Sequence, residues 1–226
     1  MTNIQDMLRE LNNHTHINKS LQNIFTLVDR KLFTPTHAKH FANGMEAINI
    51  GHDRWLPSPI TVAKVVKHLE VKSSDNILEI GCGSGYTTAI LANMCKDIYT
   101  LDCQQTILDE AQQKFSHLKL ENVHPILTKF KKDWLPKMMF HKIVFSMSVK
   151  KVENIYFDML EENGIIIVHL EITENYQVLT KYWKKNGIIL TESIEQCSFI
   201  PMIKIVKSCD YLIRNKWFYL VRSLIF

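Results

Sequence analysis

Asn76-Ile77-Leu78-Glu79-Ile80-Gly81-Cys82-Gly83-Ser84-Gly85-Tyr86 runs from an apolar segment directly into three alternating glycines. A strand that ends in such a loop sets its amides where a nucleotide-like ligand can approach them, because glycine lacks a Cβ and accepts positive φ. Thr87-Thr88-Ala89-Ile90-Leu91-Ala92 then reads as a helix, and Ile98-Tyr99-Thr100-Leu101 as a second strand that ends on Asp102. Together they form one βαβ unit. Asp102 falls about 20 residues past the first glycine, where a carboxylate can accept both hydroxyls of a ribose.

Downstream, helix and strand keep alternating, the pattern of a doubly wound α/β sheet. Ile107 to Leu118 places Ile107, Leu108, Ala111, Phe115 and Leu118 at helical spacing. Val123 to Leu127 and Lys142 to Ser146 read as strands, the latter ending at the ligand edge. Val152 to Leu160 reads as a helix stopped by Asn163-Gly164, before a strand from Ile165 to Leu170. A helix is expected over Tyr176 to Lys185, ending at Asn186-Gly187, and then an antiparallel pair, Ile188 to Ile194 with Cys197 to Ile205. Upstream, Ile4 to Asn12 and Lys19 to Val28 read as helices. The loop Gly51-His52-Asp53-Arg54-Trp55-Leu56-Pro57-Ser58-Pro59 leads into a helix from Ile60 to Glu70. Ligands in open α/β sheets sit beyond the C-terminal strand ends, so this N-terminal segment is placed to cover the site as a lid.

The chain has 226 residues with 46% hydrophobic content, enough to bury a full core in one domain. Residues 1–60 read as N-terminal helices and lid loop of that domain, 61–206 as its main body, and 207–226 as a C-terminal extension. A net charge of +4 with dispersed lysines gives no nucleic-acid footprint. Five cysteines without a C-x-x-C pair argue against a disulfide framework and a zinc knuckle, and fit a reducing cytoplasm. His14-Thr15-His16 and His37-Ala38-Lys39-His40 have no acidic or cysteine partner at ligand spacing, so no metal is expected. His169, inside an apolar strand, reads as a core-edge residue with a satisfied nitrogen. No segment is apolar for long enough to span a bilayer. In the extension, Ile213, Trp217, Leu220, Val221 and Leu224 at helical spacing suggest packing on the sheet edge, with a dimer or membrane contact as alternatives.

Dinucleotide sites use G-x-G-x-x-G to seat a pyrophosphate, whereas this chain has G-x-G-x-G. Leu-Glu-Ile followed by Gly-Cys-Gly-Ser-Gly resembles the first motif of S-adenosylmethionine-dependent methyltransferases, whose loop holds an amino-acid tail and a ribose. Another nucleotide, or a turn that merely joins strand to helix, stays open at this point.

The resemblance then narrows to protein-L-isoaspartate O-methyltransferases and covers roughly residues 8 to 203. Val28-Asp29-Arg30-Lys31-Leu32-Phe33-Thr34-Pro35 is similar to the family's Val-Pro-Arg-Glu-x-Phe-Val-Pro, and Gly51 through Ala63 to its Gly-x-Gly-Gln-Thr-Ile-Ser-Gln-Pro-x-x-Val-Ala. Leu78 to Tyr86, Asn122-Val123 and Phe199-Ile200-Pro201-Met202 match at equivalent places. The resemblance implies a Rossmann-like fold with a mostly parallel seven-stranded sheet and an N-terminal helical lid. It also implies S-adenosyl-L-methionine as cofactor, held by Glu79, Gly81, Cys82, Gly83, Ser84, Gly85, Tyr86, Asp102 and Cys103. The implied substrate is a protein or peptide with an isoaspartyl carboxylate as acceptor.

Departures concentrate in the acceptor loop. The family's serine falls on Pro57, which has neither a hydroxyl nor an amide hydrogen, and Ser58 is displaced by one position. Arg54 replaces a glutamine and Trp55 a threonine. Arg54 could grip a carboxylate in a fork no hydroxyl can make, or it could be solvated or paired with Asp53. Trp55 reads as a lid anchor or, less simply, a stacking platform. Thr128-Lys129 stands where the family has Gly-Asp near the adenine, and His141 where it has an aspartate. The catalytic candidates are therefore Arg54 and Ser58. A methyltransferase with another acceptor, and a non-catalytic member of the family, are the competing readings.

Overall fold

The computed structural model describes residues 3–51, 54–128 and 138–198. The expected strand from Cys197 to Ile205 is described only to residue 198. Asp53, Lys129, Phe199 to Met202 and the extension 207–226 lie outside the described residues.

The first βαβ unit is built as its sequence dictates. Strand β3 (Asn76–Ile80) leads through the glycines to helix α4 (Tyr86–Ala92) and on to β4 (Asp97–Asp102). β3 and β4 pair in parallel from Asn76↔Asp97 to Ile80↔Leu101. Every residue of α4 is buried, and β3 is buried from Ile77 to Ile80. This is the near-continuous apolar run of a strand covered on both faces. α5 (Gln105–His117) returns the chain to β5 (Val123–Leu127) at one sheet edge. β6 (Phe140–Val149) pairs with the other side of β3 and is followed by the short α6 (Asn154–Asp158), β7 (Leu160–Thr173), β8 (Tyr176–Lys185) and β9 (Ile188–Cys197). The sheet order is β5-β4-β3-β6-β7-β8-β9, with the first five strands parallel and β8 and β9 antiparallel.

The helix expected over Tyr176 to Lys185 is strand β8, and the antiparallel pair is β8 with β9. Two local causes explain the difference. The segment is rich in β-branched and aromatic residues (Tyr176, Val178, Thr180, Tyr182, Trp183), which suit a pleated surface. Both of its faces meet apolar neighbours: Leu179 joins one core and Tyr182 packs against the other, so alternation is blurred. Asn186-Gly187 is the two-residue loop of a hairpin closed by Lys185↔Ile188, with positive φ of 53° and 74°. Asn-Gly supplies those angles at low cost. The Glu162 carboxylate accepts hydrogen bonds from both amides of this turn. Likewise, α6 is shorter than the helix expected from Val152 to Leu160, and Asn163-Gly164 lies within the opening of β7 and not at a helix stop.

The N-terminal segment packs into the same core as the sheet. α1 (Ile4–His14) starts on a reciprocal Asn3/Asp6 capping box, and α2 (Lys19–Leu27) on the Asn18 side chain. Met7, Leu11, Leu21, Phe25 and Phe33 are buried in one cluster with Val62, Ile77, Tyr86 and Phe115. A short hairpin, β1 (Ile48–Gly51) and β2 (Arg54–Leu56), precedes α3 (Pro59–Leu69). Arg30 ties these pieces together. Its guanidinium is 1% exposed and donates to the carbonyls of Ala42 (2.8 Å), Gly44 (3.1 Å), Glu46 (2.8 Å) and Pro57 (2.8 Å). Burial lowers its pKa to about 10, still far above neutrality, so the cation persists and anchors the lid through charge-assisted bonds. Phe33 reaches Tyr86 of α4 edge-on at 5.3 Å. Among the described residues no helix is long and apolar enough to cross a bilayer.

Candidate active site

At the C-terminal ends of β3, β4 and β6 the glycine loop is held by its own backbone. The amides of Gly81 and Cys82 both donate to the Leu101 carbonyl at 2.8 Å, and that of Gly85 to the Cys82 carbonyl at 2.9 Å. Gly83 and Gly85 serve different needs. Gly83 has φ +52°, and a Cβ there would meet nothing within 4 Å, which leaves the loop's outer side open for a ligand. Gly85 has φ +82°, and a Cβ there would lie 2.9 Å from the Phe115 ring and 3.2 Å from Ala111, so its lack of a side chain lets α5 close on the loop.

Asp102 is 1% exposed and its carboxylate is unevenly occupied. Oδ1 accepts from Arg54 Nη2 (3.0 Å), the Cys103 amide (2.8 Å) and the Gln104 amide (3.3 Å). Among the described residues, Oδ2 accepts only the Gly83 amide, at 3.1 Å. The loop and the carboxylate are therefore bonded to one another, and Oδ2 keeps room for a hydroxyl donor. The Asp102 carbonyl accepts the Thr128 amide at 2.9 Å, which brings Thr128 to the site.

Glu79 lies beneath the loop with no exposed surface. Its Oε2 accepts from Thr88 Oγ1 (2.5 Å) and Thr100 Oγ1 (2.8 Å), and its Oε1 from Ser146 Oγ (2.7 Å). Desolvation raises its pKa to about 7 against the opposing pull of those hydroxyls. One carboxyl thus fastens β3, β4, β6 and α4 together at the ligand edge. Thr88, Thr100 and Ser146 are the functional supports that sequence reasoning missed. Their only sequence signal is a hydroxyl residue in an otherwise apolar segment opposite an acid.

The remaining loop residues divide by depth. Tyr86 is fully buried, with its ring under Phe33 and Arg30, so the side chain braces the lid while its amide donates to Ser84 Oγ at 3.2 Å. Cys82 is buried 3.9 Å from Thr88 Oγ1, and burial pushes its thiol up, so it offers no thiolate nucleophile. Lys114 reaches over the loop to the Ser84 carbonyl (3.3 Å) and stands 5.8 Å from the Phe33 ring centre, stitching α5, loop and lid. Desolvation lowers its pKa.

In the loop before α3, expected to meet the acceptor, Arg54 is 4% exposed, which overturns the solvated alternative, and its partner is Asp102. Ser58 is the N-cap of α3: its Oγ accepts the Ile60 amide at 3.2 Å, and the hydroxyl retains its own proton. Pro57 presents its carbonyl to Arg30. Trp55, expected as a core anchor, is 46% exposed on the outward side of β2. Outside the site, His141 Nδ1 accepts the Asn76 amide. His169 is buried 3.4 Å from Cys197 Sγ, and desolvation holds its pKa down at about 3.

These residues suit S-adenosylmethionine: an open face at Gly83, an oxygen of Asp102 with free acceptor capacity, and Thr128 alongside. A family model described as protein-L-isoaspartate(D-aspartate) O-methyltransferase matches residues 2–207. The protein-L-isoaspartate O-methyltransferase of Helicobacter pylori (strain G27) is 31% identical over 198 residues, covering 87% of this chain and 94% of its own. That of Thermosipho melanesiensis is 31% identical over 190 residues, covering 83% and 96%. Among solved structures, a protein from Plasmodium falciparum described as a putative protein-L-isoaspartate O-methyltransferase, in complex with S-adenosyl-L-homocysteine, superimposes with a TM-score of 0.78. It covers 90% of this chain and 100% of its own at 22% identity, a likeness of fold.

Proposed function

This chain belongs to the protein-L-isoaspartate(D-aspartate) O-methyltransferase family, whose members depend on S-adenosylmethionine, and we propose that it methylates the free carboxylate of isoaspartyl residues in proteins and peptides. The observation that carries this reading is the bond between the Gly83 amide and Asp102 Oδ2. It joins the two ligand-binding elements of the βαβ unit into one preformed cradle beside the lid.

When bound, the cofactor would supply a sulfonium methyl group whose carbon an acceptor oxygen attacks in line, with the thioether S-adenosylhomocysteine as the leaving group. An isoaspartyl carboxylate is ionised at neutral pH, so no general base is required. The protein's work is to align the acceptor and exclude water, a proximity effect worth up to roughly 7–11 kcal/mol. Gly81, Gly83 and the Asp102–Cys103 turn position the nucleoside and its tail. Glu79 keeps the strand ends in register from below. Arg54 and Ser58 are the two side-chain donors that this loop offers to the acceptor. Pro57 cannot donate, and Ser58 is displaced by one position and held in place as the α3 N-cap, so acceptor capture falls first to Arg54, with the Ser58 hydroxyl proton as a second donor. Isoaspartyl methylation by this chain is accordingly expected to be weaker than by members that keep the loop serine.

The test is methylation of an isoaspartyl peptide, with its aspartyl twin as control, read as base-labile methyl ester by mass spectrometry. Ester on the isoaspartyl peptide alone supports the proposal; a protein that binds cofactor yet esterifies neither peptide contradicts it.

A further inference from the structure

Strand β2 is three residues long and alternates in burial, so Arg54 and Leu56 point inward while Trp55 points out. The inward Arg54 side chain, 5% exposed, bridges the acceptor hairpin and the carboxylate that serves the ribose. Its Nη2 is 3.0 Å from Asp102 Oδ1, and its Nε is buried with no hydrogen-bond partner among the described residues. A guanidinium held by one good bond, with another donor unsatisfied, is ready to exchange for a better anion.

A ribose diol presents two hydroxyl donors to a carboxylate, one for each oxygen. Oδ2 can take one of them. Oδ1 already accepts three donors, two of them backbone amides that the chain cannot withdraw. Arg54 is the one donor of the three that can leave.

We propose that Arg54 is a positioning residue that couples cofactor to acceptor: it occupies Asp102 in the free protein, and the ribose hydroxyls displace it. The released guanidinium then serves the acceptor carboxylate. This inference rests on the reading above that Asp102 takes the ribose. A buried arginine released from its counter-ion needs another, because an uncompensated buried charge is costly. An anionic acceptor supplies that charge, so the exchange selects for carboxylates. By linkage, the cofactor favours the acceptor-capturing state of the hairpin as much as that state favours the cofactor. A fixed Arg54 that merely buttresses Asp102 would give the opposite sign on mutation.

S-adenosylhomocysteine is the probe, titrated calorimetrically into the wild type and Arg54→Gln. Removing the competitor tightens binding by about fivefold or more, the lower range of coupling between linked sites. In the same variant the KM for the isoaspartyl peptide rises, so the two constants move in opposite directions, which loss of structure alone would not produce. Trp55, next to Arg54 and half-exposed, changes its emission when the wild type binds the probe, with Trp55→Phe identifying the signal. That last measurement needs no folded Arg54 variant. Equal or weaker binding in Arg54→Gln, or unchanged Trp55 emission on saturation, overturns the exchange while leaving the cofactor reading intact. Failure of both proteins to bind the probe overturns the cofactor reading itself, and the exchange with it.

Discussion

Alanine at Gly85 and alanine at Gly83 should damage different properties of the protein, although the two glycines are two residues apart. At Gly85 the backbone has φ +82°, and the new methyl would sit 2.9 Å from two atoms of the Phe115 ring and 3.2 Å from the Ala111 methyl. A non-glycine residue in left-handed backbone costs about 1–2 kcal/mol. Forcing a methyl against a fully buried ring adds about 1–3 kcal/mol, because the packed core cannot simply move aside. Gly85→Ala should therefore lose about 2–5 kcal/mol, a fall in melting temperature of roughly 5–15 °C for a chain of this size. At Gly83, φ is +52° and the methyl meets nothing within 4 Å. Only the backbone term of about 1–2 kcal/mol applies to stability there. The methyl projects into the space left for the cofactor, so Gly83→Ala should weaken S-adenosylhomocysteine binding at least about tenfold, or about 1.4 kcal/mol. Urea denaturation and calorimetric titration of both variants measure the two effects. If Gly83→Ala binds normally and destabilises as much as Gly85→Ala, the loop is a packing element and the assignment of its open face is wrong.

Asp102→Ala should weaken S-adenosylhomocysteine binding by roughly 1.5–3 kcal/mol, since charged hydrogen bonds to the ribose are lost; an unchanged dissociation constant by calorimetry would reject that role. Arg54→Ala should lower kcat/KM for an isoaspartyl peptide more than Ser58→Ala does, and steady-state kinetics showing the reverse order would return acceptor capture to the serine. Glu79 has a folded pKa of about 7, above the ordinary carboxyl value of 4.5, so the unfolded chain loses this proton first. Wild-type stability relative to Glu79→Gln should thus fall as pH rises from 4.5 to 7 and level off above, by up to about 3 kcal/mol, followed by urea melts across that range. His169 has the opposite sign: its folded pKa of about 3 lies below the ordinary 6.5, so stability relative to His169→Gln should fall as pH drops from 6.5 towards 3.

The βαβ unit was legible because its signals are local: an apolar strand, glycines at fixed spacing, and an acid at the next strand end. The same locality failed at Tyr176 to Lys185. There the sheet is covered on both faces, the period of two is lost, and Asn186-Gly187 can stop a helix or turn a hairpin with equal ease. The site shows the same division. Gly83 and Asp102 could be placed from spacing, whereas the hydroxyls of Thr88, Thr100 and Ser146 meet at Glu79 only after three strands and a helix converge. Arg54 could be picked out by residue type, yet its partner lies 48 positions away, and a charge pair at that separation leaves no pattern in a single sequence.

The most direct measurement is transfer of a labelled methyl group from S-adenosylmethionine to an isoaspartyl peptide and to its aspartyl twin, run with the wild type and Asp102→Ala side by side. Label on the isoaspartyl peptide with the wild type, little on its twin, and a large loss with Asp102→Ala is the predicted result. Equal labelling of the two peptides, or isoaspartyl labelling indifferent to Asp102→Ala, would contradict the account.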